Sequence, residues 1–334
     1  MPERVQGAGD CAGRATAPPK SRRRRRKKFG ISSFSLPVGP AIRPGQVHGY
    51  YIDLRAKAKT SAWPPAELQP LEKRPPVALA QWGLAANERY LAEGHSEWLA
   101  AAVELGRHLV ATQERGGPYD GGWVHHHPYP EPLRVEPPWV SGIAQGEAAS
   151  LLVRVYQETR EEPFADAARR ALAPMAIPSK EGGLQAILDG GPLPEEYPTD
   201  PPSHVLNGAI FALWGYYDVA AGLDDRQAAE AFEAGVDALA GSINRWDTGY
   251  WSRYDLYPHR VVNVASWGYH ALHVNQLRAM NLIAPRPAFG AAIARFERYS
   301  TSRANRSRVL LQKLVFRSLY PRNRRLAERL PWAS

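Results

Sequence analysis

From residue 76 onwards, apolar residues recur every three or four positions in segments long enough for α-helices. The segments come in pairs, and the second of each pair is rich in alanine, with Glu and Arg on one side. First helices are predicted at 77–93, 143–159, 204–221 and 268–283, and second helices at 96–113, 163–175, 226–243 and 287–299. A two-helix unit cannot bury its apolar face alone. The repeat therefore predicts a mainly α fold, an incomplete α/α barrel of about four helical hairpins.

Upstream of the helices, the pattern changes to a period of two. Apolar and polar or aromatic residues alternate over 50–55, as they do on the two faces of a β-strand. One face would carry Tyr51, Asp53 and Arg55. We predict a small N-terminal β-hairpin region over 46–75, followed by the barrel at 76–302.

The net charge of +9 is concentrated at the two ends of the chain. Segments 1–30 and 303–329 each carry a net +8, so 31–302 carries about −7. We predict a disordered basic tail over 1–45, where no periodicity is present. We also predict a basic C-terminal helix over 303–334, either docked on the barrel or amphipathic at a membrane surface. We expect no nucleic-acid partner.

Composition excludes several classes of protein. No run of 18 apolar residues exists that could span a membrane, and no apolar segment follows the basic N-terminal block as in a cleaved signal. We therefore expect the cytoplasm or the inner membrane face. The single cysteine, Cys11, excludes an intramolecular disulfide framework and a thiolate metal cluster. The three histidines at 125–127 point in alternating directions, so we expect a solvated or sugar-binding loop there and no metal.

Three long connections join successive hairpins, at 114–140, 178–203 and 245–267. They are rich in aromatic residues and turn-forming glycines, and ordered loops of this length are usually functional. Alternate connections of an α/α barrel emerge at the same end. We therefore expect all three to surround one mouth.

The stretch 192–208 places two carboxylates and a phenol side by side, as Glu195, Glu196 and Tyr197, before prolines that stiffen the chain. Aromatic rings with carboxylates form a usual surface for sugars, because pyranose faces stack on rings. Paired acids would suit glycoside hydrolysis, with Asp120 or Asp255 completing the pair. A tyrosine could instead abstract a carbon-bound proton if nearby cations stabilised its phenolate.

Several short motifs occur in order along the barrel. They are Ala-Gln-Gly at 144–146, Leu-Val-Arg at 152–154, Glu-Tyr-Pro-Thr at 196–199, Val-Leu-Asn-Gly at 205–208, Tyr-Asp-Leu at 254–256, Tyr-His at 269–270 and Asn-Gln-Leu at 275–277. In order and spacing, from about Tyr50 to Tyr299, the chain resembles the heparan-type D-glucuronyl C5-epimerases. The resemblance implies an incomplete α/α barrel preceded by a β-region. It also implies conversion of glucuronic to iduronic acid units within an anionic polysaccharide, without a cofactor.

By this resemblance, Tyr197 and Tyr254 are the candidate pair that moves the C5 proton, one on each side of the sugar ring. Glu196 is an alternative base, or the group that tunes Tyr197, and Tyr269 is a third candidate tyrosine. Candidates for substrate binding are Tyr50, Arg55, Trp123, Asn207, Arg253 and His270. The same residue types also serve in cores, helix caps and ion pairs, so each role is an expectation.

The chain departs from the family pattern in having only 46–75 for the longer β-rich N-terminal portion of the animal enzymes, and at two further points. It reads Lys-Arg-Pro-Pro at 73–76, where the animal enzymes have a tyrosine-rich segment, and Tyr257 stands where they have a basic residue. Because an α/α barrel does not fix a function, three alternatives stay open: a polysaccharide lyase, a glycoside hydrolase and an inactive glycan-binding protein. We also consider a homodimer, and peripheral membrane contact through the basic tails.

Overall fold

The computed structural model describes residues 36–130 and 132–321. Its longer helices follow the predicted order. They are α1 (Pro76–Glu93), α2 (Ser96–Thr112), α3 (Gly142–Thr159), α4 (Glu162–Arg170), the short α5 (Ala173–Ala176), α6 (Leu206–Leu223), α7 (Arg226–Ser242), α8 (Trp267–Ile283), α9 (Pro287–Thr301) and α10 (Arg303–Leu319). The mainly α fold class and the four hairpins are therefore confirmed.

Four of the helices form an inner row. α1, α3, α6 and α8 pack side by side in that order, and α2, α4, α7 and α9 each cover the inner helix of their own hairpin. The two middle helices approach closely at glycines: a Cβ atom on Gly146 would lie 2.4 Å from the carbonyl oxygen of Phe211, and one on Gly215 would lie 2.5 Å from Cα of Gly146. Across the described ranges, no comparable packing joins α8 back to α1. The barrel is therefore incomplete.

Short turns join the two helices of each hairpin. Gly94, Arg160 and Asp224 follow α1, α3 and α6 in the left-handed conformation that commonly ends a helix. Asp225 then caps α7, because its carboxylate accepts a hydrogen bond from the N–H of Ala228 at 2.9 Å. Since these turns lie at one end of the row, the three long connections emerge at the other.

The N-terminal pairing begins earlier in the chain than predicted. The N–H of Gly39 donates to the carbonyl of Tyr51, and the N–H of Asp53 donates to the carbonyl of Pro37, both at 2.9 Å. The remainder, up to residue 75, contains only the short 3-10 helices Arg55–Lys57, Ala66–Leu68 and Leu71–Lys73. The hairpin-like pairing therefore covers 37–53 and not 46–75, and it includes part of the segment assigned to the basic tail. Residues 1–35, with Cys11, and residues 322–334 lie outside the description.

The predicted division of this segment into an aromatic, charged face and an apolar face is wrong at Tyr51. Tyr50 and Tyr51 are neighbours in sequence, yet both are buried together with Ile52 and Leu54. Both tyrosine rings contact Trp214 of α6, at centroid distances of 5.8 and 4.7 Å. Asp53 and Arg55 remain partly exposed, so the alternation separates core from solvent at 52–55 and fails only at Tyr51, which α6 covers.

A short antiparallel hairpin, which the sequence analysis did not predict, lies within the second long connection. Strands β1 (Gln185–Leu188) and β2 (Gly191–Pro194) are joined by Asp189 and Gly190. Both turn residues have positive φ, 50° and 90°, as a two-residue hairpin turn requires. Strand β2 leads directly into Glu195, whose N–H donates to the carbonyl of Leu184 at 2.7 Å. The acidic stretch is therefore attached to a sheet.

The basic C-terminal helix α10 docks on the barrel. Val309 and Phe316 are buried on its inner side. Four apolar side chains on its outer side, Leu310, Leu311, Leu314 and Val315, are 48–65% exposed. Over the part of the chain described, no helix is long and apolar enough to cross a membrane.

Candidate active site

Side chains from the three long connections meet at the mouth of the barrel. The hydroxyls of Tyr197 and Tyr129 lie within hydrogen-bond distance, at 2.9 Å, and the two rings lie 4.2 Å apart. Trp139 packs 5.8 Å from each of these rings, and Tyr254 packs against the same group. We call Tyr129, Trp139, Tyr197 and Tyr254 the aromatic cluster. It joins the first connection to the second and the third.

Tyr254 links this cluster to α8. Its ring lies 4.9 Å from that of Tyr269 in an edge-on arrangement. Tyr269 is 38% exposed, on the first turn of α8, where its N–H donates to the capping hydroxyl of Ser266. Tyr254 is half-buried, and its N–H donates to the carbonyl of Asn263 at 2.7 Å. The predicted catalytic tyrosines Tyr254 and Tyr269 are thus in contact with each other, and Tyr254 also packs against the group that contains Tyr197.

Glu196 lies under the cluster, between the starts of α3 and α6. Its carbonyl accepts a hydrogen bond from the N–H of Gly142 at 3.0 Å. A Cβ atom on Gly208 would lie 2.4 Å from Cβ of Glu196 and 2.6 Å from its Oε2, so this approach requires glycine. Glu196 is almost fully buried, and within the described residues its Oε2 has no hydrogen-bond partner.

Burial sets the protonation of these groups. It raises the pKa of Glu196 to about 8, with the negative charges of Glu195 and Asp255 adding to the rise and the hydrogen bond with Tyr197 opposing it. Burial, followed by the charge of Glu196, raises the pKa of Tyr197 and of Tyr254 well above the ordinary value for a phenol. At neutral pH both phenols are therefore protonated. The carboxyl of Glu196 is the member of this group that titrates near neutrality.

Glu195, adjacent in sequence, has a different environment. It is fully buried and accepts hydrogen bonds from the N–H and hydroxyl of Ser203, at 3.0 and 2.7 Å, and from the N–H of His204. Nδ1 of His204 lies 2.7 Å from its Oε1. Both of its oxygens are thereby engaged in closing the loop 195–204. Glu195 holds the backbone on which Glu196 and Tyr197 stand.

Asp255 is likewise engaged by its own connection. Its Oδ2 accepts from the side-chain amide of Asn263 at 2.6 Å, and its Oδ1 lies 3.2 Å from Nε2 of His259. The ammonium of Lys313, on α10, donates to Oδ1 of Asn263 at 2.8 Å. Asp255 therefore stabilises the third connection through Oδ2, while its Oδ1 has no hydrogen-bond partner within the described residues.

Among the predicted binding residues, Asn207 and Arg253 lie on segments that border Glu196 and Tyr254. Asn207 precedes Gly208, and its buried Oδ1 has no hydrogen-bond partner within the described residues. Arg253 precedes Tyr254, and in the same part of the chain its buried Nε has no partner either. Such orphaned polar atoms are costly in a core unless a ligand or water engages them.

His270 occupies a closed environment beneath the third connection. Its ring stacks on Trp251 at 3.8 Å, its Nδ1 accepts from the N–H of Ser252 at 3.2 Å, and its Nε2 lies 2.9 Å from the carbonyl of Phe296. Burial lowers the pKa of His270 to about 4, so the ring is neutral. The ring proton is then on Nε2, which donates a hydrogen bond to the carbonyl oxygen of Phe296.

Tyr50, Arg55 and Trp123 are held in other networks. The N–H of Tyr50 donates to Glu88 at 2.6 Å, and Arg55 forms a two-pronged ion pair with Asp53 at 3.0 and 2.6 Å. The indole N–H of Trp123 donates to the carbonyl of Leu109. The structure does not bring these three together with the aromatic cluster.

The histidines at 125–127 border the cluster. The ring of His125 is stacked on that of Trp139, at 4.0 Å and 9°. Burial lowers the pKa of His125 to about 4. Across the described residues, no group of three or more His, Cys, Asp or Glu side chains could hold a metal ion.

Sequence reasoning missed four residues at or near the site. Tyr129 and Trp139 carried only the general signal of an aromatic-rich connection, and Lys313 lay in a helix regarded as a basic tail. Glu147, on the inner helix α3, is fully buried and accepts from Gln81 at 3.0 Å. Burial raises its pKa to about 8, and the charge of Glu196 adds to the rise. The sequence signal for Glu147 was an acidic residue at a helical position predicted to face the core.

A shallow pocket of about 290 Å³ opens beside the cluster. All three connections contribute to it, through Trp139, Pro198 and Tyr257 among others. Two cations, Arg134 and Lys180, and two acids line its sides. The pocket offers ring faces and charged groups directly next to Tyr197.

Residues 114–298 match the family model described as D-glucuronyl C5-epimerase C-terminus, which is more than half of the chain. The chain belongs to this family. The predicted family is therefore confirmed, and the matched residues include the whole aromatic cluster and Glu196.

Two similar proteins show how far the likeness extends. The D-glucuronyl C5-epimerase of Caenorhabditis elegans is 34% identical over 205 residues, which are 56% of this chain and 32% of that protein. An uncharacterised protein of Methanocaldococcus jannaschii, MJ1128, is 26% identical over 126 residues, 36% of this chain and 41% of that protein. The matched stretches thus span well under two thirds of either relative.

Proposed function

We propose that this chain is an epimerase that inverts C5 of a hexuronic acid unit within a glycan, converting D-glucuronic to L-iduronic acid in a heparosan-like polymer. Membership in the C5-epimerase family supports the reaction class. The observation that carries the proposal is the meeting of Glu196, Tyr197 and Tyr254 at one mouth. The reaction needs an acid–base group on each side of the sugar ring.

The proposed first step removes the C5 proton, which is acidified by the neighbouring carboxylate. Tyr197 receives this proton while its own phenolic proton passes to Glu196. Because Tyr197 stays neutral, its high pKa is no obstacle, and the pKa of Glu196 near 8 suits a base at neutral pH. The electron pair of the broken C–H bond moves into the uronate group and forms an enediolate.

In the second step, Tyr254 donates its phenolic proton to the opposite face of C5. The electron pair returns from the enediolate to form the new C–H bond, and Tyr254 is left as a phenolate until the proton on Glu196 is returned. The orphaned polar atoms of Asn207 and Arg253 are candidates to bind the uronate group or its hydroxyls. No cofactor is needed, because a proton is removed and a proton is added.

The engagement of the other acids argues against the hydrolase alternative. Glycoside hydrolysis requires two available carboxyl groups across the bond, but both oxygens of Glu195 accept hydrogen bonds in its own loop, and Asp255 is held by Asn263 at Oδ2. A lyase shares the first step and then expels the C4 substituent. It is therefore the alternative that the test must separate.

The test incubates the protein with heparosan-like polymer in deuterated water. Deuterium at C5 in an intact chain supports epimerisation, an unsaturated chain end indicates a lyase, and a shortened saturated chain indicates a hydrolase. No exchange indicates a binding protein. We expect Tyr197→Phe and Tyr254→Phe to abolish exchange and the surface control Tyr156→Phe, which loses only a hydrogen bond to Glu162, to retain it. Full exchange in both cluster variants would refute the assignment.

We also propose that the outer side of α10 contacts an anionic lipid surface, in keeping with the predicted location at the inner membrane face. Its four exposed apolar side chains lie on a helix with basic residues and no acid between 303 and 321. This combination is typical of helices at a membrane surface. The alternative is the predicted homodimer, in which a second copy of the chain would cover the same apolar side of α10.

Vesicle co-sedimentation and light scattering separate the two. Binding to phosphatidylglycerol vesicles, lost in Leu311→Asp/Leu314→Asp and absent with phosphatidylcholine alone, supports the membrane. A dimer that the same double variant converts to a monomer, without vesicle binding by either form, supports the homodimer.

A further inference from the structure

We propose that Lys313 of α10 is a positioning residue for Tyr254, and that α10 thereby completes the site. This inference rests on the proposed function, because it assigns Lys313 to the tyrosine that protonates C5. Helix α10 begins after residue 298, where the family-model match ends. The contribution is therefore made by a part of the chain beyond the matched region.

The inner side of α10 is bound to the third connection along its length. The side-chain amide of Gln312 donates to the carbonyl of Val262 at 3.0 Å, and its Oε1 accepts from the hydroxyl of Tyr250. The guanidinium of Arg308 lies 3.7 Å from the ring centroid of Tyr250. Nearer the end of the helix, the ring of Phe316 lies 5.1 Å from that of His259. These contacts fix the connection that carries Tyr254.

Lys313 makes the contacts nearest to Tyr254. Its ammonium donates to Oδ1 of Asn263 at 2.8 Å and to the carbonyl of Val264 at 2.6 Å. Asn263 in turn accepts from the N–H of Tyr254 through its carbonyl, at 2.7 Å. One residue therefore joins the ammonium to the backbone of the tyrosine. A shift of Lys313 is transmitted to Tyr254 through two hydrogen bonds.

The ammonium also places a positive charge near the ring. Lys313 is half-buried, and its Nζ lies 5.9 Å from the ring centroid of Tyr254. When Tyr254 gives up its proton, the nearby cation favours the phenolate, because burial weakens screening by water. Burial, and after it the charge of Glu196, raises the pKa of Tyr254 and so disfavours the phenolate. A fixed cation would offset that effect.

The experiment compares Lys313→Met, Lys313→Arg and the control Lys73→Met, an exposed lysine in the short 3-10 helix before α1. In the full chain we expect Lys313→Met to lower kcat for C5 exchange ~10–100-fold with little change in KM, as for a misplaced catalytic group. Lys313→Arg should recover part of the loss, and Lys73→Met should match the wild type. Thermal unfolding of each variant shows whether the fold is retained.

A double-variant cycle with Asn263→Ala tests whether the effect of Lys313 on Tyr254 passes through Asn263. If Lys313 acts through Asn263, the double variant should lose little more activity than the more damaging single variant. Wild-type kcat in folded Lys313→Met would overturn the inference, as would a loss that arginine does not restore in any part, or fully additive losses. In each case active wild-type protein leaves the proposed function standing. Inactive wild-type protein would instead refute the proposed function itself.

Discussion

Two buried carboxylates lie in different environments in this barrel. Asp218 lies in the second half of α6, and Glu196 lies at the end of α6 that faces the mouth. Asp218 accepts hydrogen bonds from Arg154 at 2.7 Å and from the hydroxyl of Tyr51 at 2.5 Å. Arg154 also donates to the carbonyls of Ser150, His48 and Gly49. Glu196 has no cation among the causes that shift its pKa, and its Oε2 has no hydrogen-bond partner in the described residues.

The difference distinguishes a carboxylate that stabilises the fold, Asp218, from one that is available for proton transfer, Glu196. The network around Asp218 satisfies the charges that it buries, and it attaches the N-terminal segment to α3 and α6. The environment of Glu196 leaves the carboxyl group incompletely satisfied and titrating near neutrality. A site that holds such a group is a candidate for function, because a core without a function seldom retains it.

The largest expected effect is on catalysis. Glu196→Gln keeps the shape of the side chain but removes the base, so C5 exchange should fall ~10²–10⁴-fold. The folded protein should be no less stable, since the replaced carboxyl is not paired with a cation. Exchange rates and denaturant unfolding measure both. Retained exchange would remove Glu196 from the mechanism.

The converse effect is expected at Asp218. Arg154→Met leaves this carboxylate buried and unpaired, so the free energy of unfolding should fall by about 3–5 kcal/mol. A second change, Asp218→Leu, should restore part of the loss because it removes the stranded charge. Urea unfolding measures both variants. An effect below 1 kcal/mol would show that the network is not structural.

A smaller effect is expected from closing the space beside Glu196. In Gly208→Ala the new methyl group would meet the carboxyl side chain, and overpacking of this kind costs about 1–3 kcal/mol of stability. Exchange should fall as well, because Glu196 must move. Gly241→Ala on α7 is the control: no atom lies within 4 Å of its added Cβ, so stability should be unchanged or higher.

A separate effect is expected on the pH dependence of stability. The pKa values of Glu196 and Glu147 are both raised to about 8, so the folded state keeps protons that the unfolded state releases above about pH 4.3. The unfolded state therefore binds fewer protons over this range, and stability should fall as pH rises from about 4.3 to 8. Glu196→Gln should flatten this slope, and the control Glu104→Gln, at a half-buried position on α2, should not. An unchanged slope in Glu196→Gln would contradict the raised pKa.

The four helical hairpins could be predicted because their periodicity is local. Two turns of apolar residues at helical spacing identify a helix wherever it packs, and glycine or aspartate at the ends sets its limits to within a few residues. The segment 50–55 shows the limit of such reasoning. Its alternation predicts one buried face, but α6 also buries Tyr51 on the other face, and no local pattern reports that.

The candidate site divides in the same way. Glu196, Tyr197, Tyr254 and Tyr269 could be selected from sequence because the family motifs include them. The separate roles of Glu195 and Glu196 could not, since they depend on which carboxyl meets the backbone of Ser203 and His204 and which meets the start of α6.

The sequence by itself determined the repeated hairpins, the family and the residue types that can move a proton next to a carboxylate, because these depend on spacing and chemical identity. Only the tertiary structure decided which of those residues share a mouth, which carboxyl is buried without a cation, and that a lysine from α10 reaches the loop of Tyr254. Those features arise from contacts between residues far apart in the chain. Burial and neighbouring charges then set the protonation states of these residues, which the sequence of a single segment does not determine.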